Sequence, residues 1–405
     1  MLKILSTLLS SLIIYLQQKY FCFFFSCVRL YNYAAMKELL KQLINAQSTP
    51  EKGELSSAEV LSDEFRKSGI DCRIETWDQT RANITAQVNS VGSKGSLLFA
   101  CHLDVVGPGE AKWERPAFEA IESGGKIYGR GSVDMKGGTA AAATAIRQVV
   151  DSGTKLHGDI IFTAVAGEET DSCGAKRFIN DHDRRADFVG VVIPEPTDFL
   201  VITAHRGMLW LNITTKGKAA HGSTPQLGVN AINSMRLVLD ELDNYEIPAE
   251  PHKLLGKCSM SVNTIAGGKT LNVVPDKCNI GVDIRTLPEQ NDQDIISDLE
   301  TIFNRLKSGN PQFEAEVGVV RQVRPLETDC GCDFVKNFCS AVGINETVAV
   351  GFTTDGPYFA SLDAPVVIFG PGKPQLCHKP DEYIEITDIE KAVEHYKNII
   401  LKFLT

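Results

Sequence analysis

Three short apolar runs, each leading into residues that can do chemistry, constrain the fold of this chain more than any other feature. Leu97-Leu98-Phe99-Ala100-Cys101 ends at His102, the run from Asp159 to Val165 ends just before Glu168 and Glu169, and Phe188 to Ile193 ends just before Glu195. Runs of this length, separated by helical stretches, read as buried strands of a mainly parallel sheet covered by helices. Ligands of open α/β sheets bind outside the carboxyl ends of the strands. One edge of the sheet is therefore expected to collect a histidine and several carboxylates.

Taken singly, the signals are modest. Gly137-Gly138 opens an alanine-rich helix to about Val150, and Asp134 just ahead of it reads equally well as a cap on the positive end of the helix dipole. His102 and Asp104 lie two apart, so the aspartate can hold the second ring nitrogen and fix the tautomer. Chance pairs of this kind are common. Adjacent Glu168 and Glu169 repel unless a proton or a cation neutralises one. Their side chains point different ways, one suited to bind a metal and the other to activate a water. Pro194 and Pro196 stiffen the backbone around Glu195. His378 ends the turn-rich stretch from Gly370 and alone reads as an ordinary loop histidine. Together these residues form a mixed nitrogen and oxygen donor set without thiolates, which suits zinc, cobalt or manganese.

At about Met208 the pattern changes to alternating strands and a helix from Asn230 to about Leu242, an α+β segment inserted into the first domain. The apolar run Ala364–Phe369 and a helix from Thr387 to Leu404 return to the opening pattern. The expected division is a catalytic domain made of residues 36–207 and 319–405 around an insert of residues 208–318.

Residues 1–35 stand apart. Their apolar run from Leu8 to Leu16 is broken by Gln17, Gln18 and Lys19 before it can span a bilayer, and Tyr31–Ala35 is a poor signal cleavage site. A membrane anchor and an exported leader are thus weighed below an upstream extension, with translation starting at Met36. From there Leu39, Leu40, Leu43 and Ile44 pattern an amphipathic helix. The net charge of -10 excludes a basic footprint for nucleic acid. Eleven cysteines, an odd number without metal or redox spacing, fit reduced thiols in the cytoplasm. No GxSxG or HExxH pattern is present, and Gly268-Lys269-Thr270 is not a phosphate loop because Asn263 stands where its first glycine belongs.

The stretch from Phe99 to Gly109, then Trp113 to Phe118, then Tyr128-Gly-Arg-Gly-Ser-Val-Asp-Met-Lys-Gly-Gly closely resembles the succinyl-diaminopimelate desuccinylase and acetylornithine deacetylase group of the M20 metallopeptidases. The resemblance runs from Met36 to the carboxyl terminus. It implies an α/β, zinc-peptidase-like catalytic domain with an inserted α+β dimerisation domain, and a homodimer. It further implies that His102 and Glu195 hold one metal ion, Glu169 and His378 hold a second, and Asp134 bridges them. Glu168 would be the general base and Asp104 would orient His102. His221, in Ala220-His221-Gly222-Ser223-Thr224-Pro225, would reach the partner subunit's site and stabilise the oxyanion. Asn272 and Arg285 match positions that bind the carboxylate end of the substrate, and Thr354 and Gly356 belong to a late substrate loop.

Two departures from the family pattern are Cys101, where most relatives have glycine, and Gly167, where desuccinylases often have aspartate. The implied activity is two-metal, zinc-favoured hydrolysis of a linear amide that deacylates an N-acyl amino acid, of N-succinyl-diaminopimelate or N-acetylornithine type. A dipeptidase or carboxypeptidase of the same family, or a non-catalytic peptide-binding relative, is the alternative. A cation facing a succinyl carboxylate would separate desuccinylation from deacetylation.

Overall fold

The computed structural model describes residues 33–181 and 187–405. The anchor, leader and upstream-extension readings rest on a segment whose residues 1–32 lie outside the described residues. Two compact units are present. The first comprises the chain up to Leu200 with Lys336–Asn345 and Ile368–Thr405, and the second comprises Val201–Val335 with Glu346–Val367.

In the first unit, helix α1 (residues 33–45) buries Met36, Leu39, Leu40, Leu43 and Ile44 on one stripe. It begins three residues ahead of Met36, and the Tyr33 hydroxyl donates to Glu394 Oε1 at 3.3 Å, so the turn before Met36 is part of the fold. Helix α2 (Leu55–Arg66) follows, then strands β1 (Asp71–Trp77), β2 (Arg81–Val88), β3 (Ser96–His102), β4 (Ile121–Ser123) and β5 (Lys126–Tyr128). Helix α3 (Gly137–Asp151), β6 (Ile160–Val165), helix α4 (Cys173–Asp181) and β7 (Phe188–Ile193) complete this stretch.

The strand order is β1-β2-β6-β3-β7. The strands β6, β3 and β7 are parallel, as their apolar runs suggest, whereas β1, β2 and β6 run antiparallel. The sheet is thus mixed, with a parallel centre. Asp78 and Gln79, at φ 49° and 67°, turn β1 back on β2 as a hairpin, where a crossover helix would be needed to keep the strands parallel. Every residue of β6 is buried, which explains an apolar run without alternation.

The second unit contains β8 (Val201–His205), β9 (Met208–Lys216), α5 (Ala231–Asn244), β10 (Ser259–Gly267), β11 (Lys277–Arg285), α6 (Asp292–Gly309), β12 (Glu314–Val323) and β13 (Leu326–Glu327). Helix α7 (Asp333–Val342) belongs largely to the first unit, and the second resumes with β14 (Thr347–Val350), α8 (Gly356–Ala360) and β15 (Val366–Ile368). Strands β10-β11-β9-β12 form an antiparallel sheet. One face alternates into a core: Leu209, Leu211 and Ile213 of β9 and Ile280, Val282 and Ile284 of β11 pack with Met235 and Val238 of α5 and Leu299 and Phe303 of α6. Asn230 caps α5, its side chain accepting from the Ile232 and Asn233 amides, so the polar residue foreseen at the helix start ends the strand-like segment before it.

Back in the first unit, β16 (Tyr383–Glu385) pairs with β5, and α9 (Ile386–Leu404) closes the chain. The buried positions Ile389, Ala392, Val393, Tyr396, Ile399 and Ile400 repeat at helical spacing against the small alanines of α3. Among the described residues no helix is long and apolar enough to cross a membrane, and nine cysteines are free.

Candidate metal centre

The parallel strands deliver their ends as their sequence implies. His102 is the last residue of β3, Glu168 and Glu169 follow β6, and Glu195 follows β7. Asp134 arrives on the tight turn Ser132–Lys136, and His378 on the loop after β15. Asp134 is not a helix cap, because Lys136 stands at the cap position of α3 and no side chain caps that end. His378 adopts a left-handed backbone, φ 62°, which a histidine occupies at a cost that surrounding contacts must offset. The loop is tied to the end of β7: Gly370 N–H donates to Thr197 Oγ1 at 3.1 Å and Asp198 N–H donates to Gly372 O at 2.8 Å.

These residues form two groups that share Asp134. His102, Asp134 and Glu195 make one, and Asp134, Glu169 and His378 make the other. His102 Nε2 lies 3.1 Å from Asp134 Oδ1 and 3.4 Å from Glu195 Oε1, while His378 Nε2 lies 3.2 Å from Asp134 Oδ2 and 3.0 Å from Glu169 Oε1. A tetrahedral ion with donors at about 2.0–2.1 Å sets neighbouring donors about 3.3 Å apart, so the spacings fit two small divalent cations. Each oxygen of Asp134 addresses a different histidine, as a bridging carboxylate requires.

Electrostatics agrees with the geometry. Burial disfavours a charged His102, but Glu195, Asp134, Asp104 and Glu168 outweigh it and hold its proton affinity well above the usual imidazole range. Hydrogen bonds to Asp134 and Glu169 push His378 up to about 10. Burial works against the charge of Asp134, yet the two histidines hold its carboxyl below the usual carboxylate range. Burial, then the neighbouring Asp134, raises Glu169. So dense a cluster of acids favours positive charge in its midst, and divalent cations held by these donors would supply it.

Asp104 acts differently from expectation. The Nδ1–H tautomer of His102 donates to the Asp104 main-chain carbonyl at 3.0 Å, whereas the nearer carboxylate oxygen is 3.7 Å away. That carboxylate instead accepts from the Glu168 and Glu169 amides at 3.1 and 3.0 Å. Asp104 therefore holds His102 with its backbone and the two glutamates with its side chain.

The departures at Cys101 and Gly167 have local causes. Burial pushes the Cys101 thiol up to about 12, so it stays protonated beside His102. Gly167 has φ 79°, and a Cβ there would lie 2.7 Å from Asp171 Oδ1 and 2.8 Å from the Arg81 guanidinium. Glycine suits that left-handed turn, where a side chain would displace the Asp171 and Arg81 tips.

Three supporting residues escaped the sequence analysis. Glu382, buried, accepts from the Val133 and Asp134 amides at 2.9 and 3.2 Å, and Arg130 donates to its other oxygen at 2.7 Å. Asn83, on β2, bonds the loop that carries the two glutamates. Nothing in the sequence singles out Asn83, one of several polar residues of β2, and nothing in the spacing singles out Glu382.

The remaining expected site residues lie in the second unit. His221 and Asn272 occupy adjoining exposed loops, joined by a bridge from His221 to Val273 and by Gly222 N–H donating to Asn272 O at 2.7 Å. Arg285, at the end of β11, pairs with Asp283 at 2.9 Å. Thr354 and Gly356 are bonded to each other at 3.0 Å, and Thr354 Oγ1 lies 3.2 Å from His205 Nε2.

Comparison with known proteins supplies the rest. A probable succinyl-diaminopimelate desuccinylase of Staphylococcus aureus is 29% identical over 404 residues, covering 91% of this chain and 97% of the relative. An acetylornithine deacetylase of Myxococcus xanthus is 29% identical over 329 residues, covering 78% and 84%. The M20 family metallo-carboxypeptidase Sso-CP2 of Sulfolobus solfataricus shares the fold with a TM-score of 0.75 at 20% identity, covering 93% of this chain and 98% of that one. The pattern of Peptidase family M20/M25/M40 matches residues 98–402, well over half of the chain, and the protein accordingly belongs to that family of hydrolases.

Proposed function

We propose that this hydrolase deacylates an N-acyl amino acid of N-succinyl-diaminopimelate or N-acetylornithine type at a centre of two divalent ions. The observation that carries the reading is the pair of donor groups sharing Asp134. His102 and Glu195 would hold one ion, Glu169 and His378 the other, with Asp134 between. Two imidazoles and three carboxylates favour zinc, with cobalt and manganese next. Bound there, the two cations would polarise the amide carbonyl and make a shared water acidic near neutral pH.

The chain's own residues do the remainder. Glu168, its amide bonded to Asp104, takes a proton from the attacking water on a carboxylate oxygen and returns it to the leaving amine nitrogen. His221 from a second copy donates to the carbonyl oxygen as its charge develops, a contribution of about 3 kcal/mol for one good donor. Asn272 and Arg285 hold the carboxylate end of the substrate, with Thr354 and Gly356 in the loop beside it.

A homodimer is part of this reading, with residues 208–318 as the dimerising insert and residues 36–207 and 319–405 as the catalytic domain. The exposed apolar residues Val262 and Ile265 on edge strand β10 support it. A cytoplasmic location is supported by the scattered cysteines of the sequence. The names of the desuccinylase and deacetylase relatives favour deacylation, and the carboxypeptidase of matching fold keeps a peptidase as the second reading.

Substitution of Glu168 by Gln tests the assignment. Glu168→Gln should retain both ions by elemental analysis while kcat falls about a hundred- to ten-thousand-fold. Near-normal turnover would remove Glu168 as the base.

A further inference from the structure

The loop that carries Glu168 and Glu169 is closed at its neck by one side chain from a neighbouring strand. Asn83 lies on β2, 3% exposed, where β6 runs out: the two strands pair as far as Ile84 and Ala164. Beyond that point the Asn83 amide continues the ladder. Its Oδ1 accepts from the Ala166 N–H at 3.0 Å, and its Nδ2 donates to Gly174 O at 2.9 Å. The Gly174 N–H donates in turn to Ala166 O at 2.9 Å. No side chain fits at 174, since a Cβ would lie 2.3 Å from Ala166 N and 2.4 Å from Asn83 Oδ1. Residues 167–173 therefore leave and return through a neck whose width the amide sets, while Asp104 grips the Glu168 and Glu169 amides further along.

We propose that Asn83 is a positioning residue for the metal centre, a role that rests on the two-ion reading above. By fixing the neck it sets where Glu169 stands relative to Asp134 and His378, and where Glu168 stands beside them. Only an amide serves both ends, because it donates through nitrogen and accepts through oxygen. Aspartate would face the Gly174 carbonyl with a second acceptor, and alanine would leave the buried Ala166 N–H without its side-chain partner. The other donor pair, His102 and Glu195, comes from β3 and the end of β7, outside the segment that this neck closes.

The test compares full-length wild-type protein with Asn83→Ala and Asn83→Asp, and with Thr85→Val as control. The Thr85 hydroxyl meets Thr163 Oγ1 at 3.4 Å on the same strand pair. Zinc is titrated into chelator-stripped protein by calorimetry. In the Asn83 variants one of two binding events should weaken about ten- to a hundred-fold while the other stays nearly unchanged, and kcat should fall by a similar factor with KM little altered. The Glu168 and Glu169 amides should exchange faster with solvent even without ions. Thr85→Val should lower the thermal midpoint and do none of this.

Asn83 variants that bind both ions as the wild type does, or that lose both in step with their thermal midpoint, would overturn the proposal. If Asn83→Ala does not fold, Asn83→Asp carries the same comparison. Failure of the two-ion reading shows separately, as wild-type protein that takes up no zinc. Amide exchange then decides the neck by itself, and unchanged exchange overturns it.

Discussion

At the residue scale, charge explains both what the centre attracts and how its stability should respond to pH. The folded protein raises His378 from an ordinary value near 6.5 to about 10, through Asp134 and Glu169. A group raised on folding contributes stability that is complete below its unfolded value and is lost as pH rises through its folded value. Chelator-stripped protein should therefore lose thermal stability between about pH 6.5 and 10. His102, also raised, works in the same direction. Asp134, held low, contributes stability above its ordinary value near 3.9 and loses it only in acid. Zinc competes with the imidazole proton, so saturating zinc should flatten the alkaline decline. Thermal midpoints measured across that range with chelator and with zinc check this, and a stripped protein that gains stability toward pH 10 would contradict it.

Part of the donor set is legible in the sequence because it sits where apolar runs stop. His102, Glu169 and Glu195 each follow such a run, as does Glu168, whereas Asp134 and His378 arrive on turns and loops that the pattern leaves open. Asn83, Arg130 and Glu382 were not legible, because they act on main-chain groups far away in sequence: Asn83 on Gly174, Glu382 on Val133 and Asp134. The same limit applies to Asp104. A pair of residues two apart suggested side chain to ring, but the strand end turns its carbonyl to the ring and its carboxylate to another loop.

At the scale of elements, strands and helices with strong periodicity appear where the pattern places them, and hairpin direction does not. Helix α3 runs from Gly137 because alanine favours helix and because small side chains let α9 pack closely. Strand β10 shows the element whose character the sequence leaves open. Its residues are almost all exposed, with Ile265 61% accessible, on one edge of the second unit's sheet. Exposed apolar edges invite pairing with another chain. The proposed dimer predicts that wild-type protein sediments as a dimer at equilibrium and that replacing Ile265 by Lys yields folded monomers. Wild-type protein that is monomeric at all concentrations would remove the dimer from the proposal.

For the whole molecule, the family assignment and the paired donor groups agree on a hydrolase, while substrate choice depends on side chains that a shared fold does not specify. Relatives of similar identity over most of the chain include a desuccinylase and a deacetylase, and a carboxypeptidase shares the fold. The most direct test follows amine release from N-succinyl-diaminopimelate, N-acetylornithine and a dipeptide as zinc is added stepwise to chelator-stripped protein. Release from one of the acyl substrates should rise to a plateau at two ions per chain and disappear with chelator. Release that continues undiminished in chelator, or a chain that binds no stoichiometric zinc, would contradict it.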